Sequence, residues 1–151
     1  MAGMTNRLAE WLRAQLNEDE RTARAATWCD EAAAWHAEPS PFGARDGGQR
    51  WYVEDAMDDG VVTHVDPVAS DDEGVARHIA AHGPARVLRE VDAKRRIVSA
   101  YEDAVTAFDN TELGTDLHDL MGGSVNSLRY ALQALALPYA DRPGFKEEWR
   151  P

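Results

Sequence analysis

Cysteine is nearly absent: Cys29 is the only one in 151 residues. A single thiol cannot build a disulfide framework or a Cys-rich zinc module, and it suits a reducing compartment. Long apolar runs are missing too. No window approaches the length of a membrane span, and the opening MAGMTNRLAEWL lacks the apolar core of a secretory signal. The expectation is a cytoplasmic protein with no membrane partner. Positive charge is scarce, with 16 Lys+Arg against 27 Asp+Glu and a net charge of −11. That balance argues against direct binding of nucleic acid, whose phosphates must be neutralised, and against an anionic membrane surface.

What is present fits one folded domain spanning 1–151. The length can bury a core, and 44% hydrophobic with 28% charged residues is ordinary globular composition. Charge comes in blocks. Residues 51–76 hold eight acidic groups and no base, 77–96 hold six bases against two acids, and 97–128 hold six acids and no base. Such blocks read first as solvated acidic faces paired with the basic stretch Arg77, Arg86, Arg89, Lys94, Arg95 and Arg96.

Periodicity predicts a first helix over 5–26, with Thr5 as N-cap and Leu8, Trp11, Leu12 and Leu16 on one face. The middle changes period. AAWHAE (33–38), RWYVEDA (50–56) and VVTHV (61–65) read as a three-stranded antiparallel meander, with Asp58-Asp59-Gly60 as a turn in which Gly takes the positive φ. Strict alternation would put Val61, Thr63 and Val65 on one face of the last strand, and Val62 and His64 on the other.

Asp71 or Asp72 can cap a helix over 73–81, and Gly83-Pro84 breaks it. Pro84 then opens a long helix to about 108, along which Val87, Val91, Val98, Tyr101, Val105 and Phe108 form a nearly heptad seam. Glu90–Lys94 and Asp92–Arg96 have the i, i+4 spacing of helical ion pairs. A short turn over 115–121, a break at Gly122-Gly123 and a Ser124-capped helix to about 137 should follow. The aromatics Tyr139, Phe145 and Trp149 suggest a tail tied down by burial. The fold class expected is α+β: a small three-stranded antiparallel sheet packed by the long helix, with N- and C-terminal helices completing the core. The seam could instead pair between chains, as in a homodimer.

Groups with chemistry to offer are few. His78 and His82 stand one helical turn apart, the spacing that lets two imidazoles reach one metal, and His36 or His64 could add a third ligand. No Glu adjoins the first His, so the zinc-protease motif is missing and no metal site is assigned. Cys29 beside Asp30 is disfavoured as a thiolate, and Ser40, Ser70, Ser99, Ser124 and Ser127 lack a nucleophile motif. No catalytic residue is assigned. Gly122-Gly123-Ser124 could offer backbone N–H groups to an anion but lacks a P-loop ending. Asp55, Asp58 and Asp59 only loosely resemble a cation-binding loop. The remaining candidate is an anion site of Arg77, His78, His82 and Arg86 around the Gly83-Pro84 break.

Four stretches are similar to a known pattern: LRAQLNEDERTARAATW (12–28), WHAEPS (35–40), HIAAHGPARVLREVDAKRRIV (78–98) and LALPYADRPGFKEEWRP (135–151). Together they resemble an uncharacterised, domain-of-unknown-function family of small proteins from actinobacteria and their phages. The resemblance implies kinship without an activity. Members of that family carry Cys residues after the long helix, which imply a zinc site with nearby His. Residues 99–128 contain no Cys here, so that site does not carry over.

The function these features point to is a non-enzymatic, cytosolic interaction or binding protein of phage or mobile-element type. No cofactor is expected, and the partner would be a protein met through the acidic faces or the aromatic tail. Two alternatives stay open. One is a binder or hydrolase of a phosphorylated, hence anionic, small molecule using the Arg77–Arg86 region. The other is an acidic DNA mimic.

Overall fold

Three short segments rich in aromatic and β-branched residues pair in chain order as an antiparallel sheet: β1 (Trp35–Pro39), β2 (Trp51–Asp55) and β3 (Gly60–Val65). The computed structural model describes residues 2–42, 48–65 and 72–151, with the backbone alone for 2–6, 63 and 64. The loop after Phe42, the Asp66-Pro67 break, Ser70 and the Asp71 cap lie outside the described residues. Among the described residues four α-helices complete the α+β fold: α1 (Ala2–Ala25), α2 (Asp72–Ala81), α3 (Pro84–Asp109) and α4 (Asp116–Ala136). No described helix is long and apolar enough to cross a membrane.

The residues gather into two compact units, Asp19–Glu90 and Met1–Glu18 with Val91–Pro151. In the first unit, Val53, Val65 and Ala76 are buried, with Trp35, Trp51, Val75 and Ile79 packed around them. The helix that covers this sheet is α2, whereas the pattern pointed to the longer helix beginning at Pro84. The reason is steric and local: Val75, Ala76, Ile79 and Ala80 give α2 a narrow apolar face that fits a three-stranded sheet.

The hairpin also departs from strict alternation. Register shifts between β2 and β3 put Val62 opposite Val53 and Val65 opposite Trp51, so Val61, Val62 and Val65 all join the core. A bulge inserts a residue on one strand and thereby re-aims those that follow. The turn takes its left-handed residue at Asp58 (φ 62°), while Gly60 already belongs to β3. Asp tolerates that region because its short side chain causes little steric conflict.

The second unit is helical. Leu8, Leu12 and Leu16 of α1, Val91, Val98 and Tyr101 of α3, and Leu132 and Ala136 of α4 are buried. Of the α3 seam, Val91, Val98 and Tyr101 are thus buried within the chain, while Val87, Val105 and Phe108 are half-buried. Arg13 Nε and Nη2 donate to Glu102 at 3.1 and 2.6 Å, and Nη2 also reaches Ser99 Oγ at 3.2 Å, which ties α1 to α3.

Helix α4 is capped by Thr115, whose side chain accepts from the His118 N–H, and it runs unbroken through Gly122-Gly123. The expected break and Ser124 cap do not occur. Ser124 Oγ instead bonds the Leu120 carbonyl one turn back. Phe108 lies 3.2 Å from where a Gly122 Cβ would stand, so a missing side chain serves packing there.

The C-terminal tail docks as its aromatics suggested. Trp149 and Tyr139 are buried, and Trp11 of α1 meets Trp149 at a tilt and Phe145 edge-on, at ring separations of 5.2 and 5.7 Å. Trp11 Nε1 donates to the Pro143 carbonyl at 3.1 Å. Gly144 (φ 85°) is required at this crossing, since a Cβ would meet Trp11 at 3.0 Å.

Candidate functional sites

The four residues marked for an anion site all lie at the junction of α2 and α3, in the unit Asp19–Glu90. Helical spacing brings the His78 and His82 rings to 4.3 Å. His82 Nδ1 donates to the His78 carbonyl at 2.8 Å, and among the described residues no third ligand joins them. Arg77 pairs with Glu73 at 2.7 Å and sits over the Trp51 ring. Arg86 pairs with Glu90 at 2.7 Å and reaches the Ala81 carbonyl. Of the expected helical ion pairs, Asp92–Arg96 forms at 2.9 Å.

A cleft of about 240 Å³ opens beside this junction, with Trp35 and small Ala residues as its walls and Arg86 and Arg89 at its rim. Arg77, His78 and His82 do not line it. Gly83 permits the close floor, because a Cβ there would stand 3.1 Å from the Trp35 ring. Arg89 makes no hydrogen bond or ion pair among the described residues.

Other candidates serve the fold. Cys29 Sγ accepts from the Ala32 N–H at 3.4 Å, in the manner of a cap. Ser40 Oγ accepts from Phe42 N–H, Ser99 takes Arg13, and Ser127 bonds back to Gly123. Gly122-Gly123 sits inside a helix, where its N–H groups face helical carbonyls and cannot cradle an anion.

The outer face of the sheet holds residues whose pattern became visible only with the register. His36 pairs with Glu54 and Glu38 with Tyr52 across β1 and β2, which puts all four on one face. His36 Nε2 lies 2.9 Å from Glu54 Oε1 and 3.9 Å from Glu38 Oε1. The turn adds Asp58, so that one ligand atom each from His36, Glu54 and Asp58 falls within 4.8 Å of the others. Partial burial, with Glu54, Glu38 and Asp58 close by, raises the Tyr52 phenol above its ordinary pKa.

Asp55, which the loose cation-loop reading included, points the other way and is buried. Its Oδ1 accepts from Met57 and Asp59 N–H at 2.8 and 3.1 Å, and its Oδ2 from Trp28 Nε1 at 3.3 Å.

In the helical unit, Leu113, Leu117 and Leu120 are 83%, 55% and 63% exposed around the start of α4. They lie within the block 97–128, which has no Lys or Arg.

Fold and sites together define a small α+β protein, and no catalytic constellation is assembled among the described residues. The chain belongs to a Family of unknown function (DUF6221), whose pattern matches residues 5–151. No curated protein and no solved structure shows significant similarity to it.

Proposed function

We infer that this chain is an interaction protein whose partner docks on the leucine edge at the start of α4. The observation that carries the reading is the exposure of Leu113, Leu117 and Leu120 inside a segment with six acids and no base. Apolar side chains left in water and rimmed by charge mark association surfaces. Leu117 and Leu120 share one side of the helix at i, i+3, the spacing that a helical partner reads. The acidic rim, with Asp116 and Asp119 on the same turns, calls for Lys or Arg flanking that partner's apolar face. A second copy of this chain would bring like charges together, so the occupant is a basic amphipathic helix of another protein. The aromatic tail, the other contact expected, is spent on Trp11.

A second reading, capture of a small phosphorylated molecule, has Arg89 at the rim of the Trp35 cleft in its favour. No nucleophile or base lines that cleft, which supports binding over hydrolysis. The DNA-mimic reading loses ground within the first acidic block, where Asp55 is buried and Glu54 faces His36.

A photo-crosslinking residue placed at position 117, and separately at 89, in the native cell weighs these readings. The leading one expects a protein adduct at 117, lost on Leu120→Glu, with a Lys/Arg-flanked apolar helix in the captured chain. Absence of an adduct at 117, or one that survives Leu120→Glu, would overturn it. An adduct at 89 alone would move the function to the cleft.

A further inference from the structure

We propose that His36, Glu54 and Asp58, with Glu38 beside them, form a binding site for a divalent first-row transition-metal ion on the outer face of the sheet. The proposal is independent of the leucine edge, which lies in the other unit.

The argument begins with the donor set. One imidazole nitrogen and carboxylate oxygens suit Zn²⁺ and its neighbours, whereas sites for Mg²⁺ or Ca²⁺ are built from oxygen alone. The three donor atoms fall within 4.8 Å of one another. Ligands on a tetrahedral ion at zinc distances sit about 3.4 Å apart, so side-chain rotation closes the site without moving a strand. Glu38 Oε1, 3.9 Å from the same His36 nitrogen, can supply the fourth position.

Charge balance strengthens the case. His36 faces three carboxylates, and no Lys or Arg among the described residues pairs with any of them. With the imidazole neutral, as a metal ligand must be, the three carboxylates leave the cluster at −3, most of which one divalent ion offsets. The simpler role, His36 paired to Glu54 and more distantly to Glu38, leaves Asp58 unexplained in the same cluster.

The backbone holds the donors in place. His36 and Glu54 are direct cross-strand partners, the closest approach that a sheet offers two side chains. Asp58 stands at the left-handed position of a turn whose shape the buried Asp55 secures through two backbone N–H groups. His36 and Glu38 keep 39% and 46% of their side-chain surface, which leaves an ion a path in.

Zinc chloride titrated calorimetrically into the full chain, made without a histidine tag and freed of metal, tests the site. The expected result is one ion per chain with a micromolar Kd. Asp58→Asn, which tolerates the turn, should weaken binding by at least about tenfold, and His36→Gln should weaken it further. The double variant His78→Ala/His82→Ala should leave binding unchanged.

Paramagnetic Co²⁺ should broaden the His36 ring resonances of the unmodified chain before those of His78, His82 or His118, a readout that no variant's folding can confuse. Failure to bind zinc at millimolar concentration would overturn the proposal. So would binding that follows His78 and His82, or binding indifferent to all these residues.

Discussion

At the residue scale, the turn between β2 and β3 depends on one buried carboxylate. Asp55 is 3% exposed and accepts hydrogen bonds from two backbone N–H groups and the Trp28 indole. Removing this buried acceptor costs three part-buried hydrogen bonds, each worth about 1 kcal/mol net. Asp55→Ala should therefore destabilise the protein by about 2–3 kcal/mol, and Asp55→Asn, which keeps an acceptor oxygen, by about 1 kcal/mol. Urea unfolding monitored by tryptophan fluorescence checks both, and equal losses for the two variants would contradict the assignment. An acidic run in a sequence says nothing about which carboxylate turns inward. Asp55, Asp58 and Asp59 look alike as residues, and only the turn sends the first to the backbone and the second toward His36.

At the element scale, α4 shows how a local rule yields to its surroundings. Two adjacent glycines predict a break, because each one inside a helix costs roughly 1 kcal/mol relative to Ala. The helix continues because its Leu132 and Ala136 are buried and Thr115 caps its start. The glycines then differ in use. Gly123 has no atom within 4 Å of a built Cβ, so Gly123→Ala should stabilise by about 0.5–1 kcal/mol. At Gly122 the Phe108 ring stands 3.2 Å away, so the same change should give a smaller gain or a loss. Thermal unfolding of both variants measures this, and a larger gain at 122 than at 123 would contradict the packing argument. Half of the six basic side chains of 77–96 are likewise used locally: Arg77–Glu73, Arg86–Glu90 and Arg96–Asp92 are i, i+4 pairs on single helices. Exposed pairs of this kind add little stability each.

At the scale of the whole molecule, the dominant electrostatic term is self-repulsion. The net charge is −11, and 97–128 concentrates six acids without a base. Raising NaCl from about 0.1 M to about 1 M shortens the screening length from about 10 Å to about 3 Å. Repulsion between acids should be relieved more than the weak surface pairs are lost, so Tm should rise with salt. A fall in Tm, measured by circular dichroism, would mean that the ion pairs outweigh the repulsion. The same acidity bears on the proposed partner: a basic helix docked at Leu117 and Leu120 would be released by salt, whereas one held by leucine contacts alone would not.

Local pattern was sufficient for much of the architecture. The apolar spacing of Val91, Val98 and Tyr101 marks α3, Pro84 marks its start, and the β-branched runs mark three strands in their pairing order. The tail's aromatics announced their own burial. These features are legible because periodicity, turn chemistry and proline geometry act over a few residues. Tertiary structure decided the rest. It placed α2 rather than α3 on the sheet, carried α4 through two glycines, and bulged β3 so that Val61 and Val62 both face inward. It also brought His36 to Glu54 and Asp58, 18 and 22 positions away in the chain. A one-residue slip would send His36 to the opposite face, so strand register created that cluster. Register is set by the packing of the buried face, which no spacing within a single strand records.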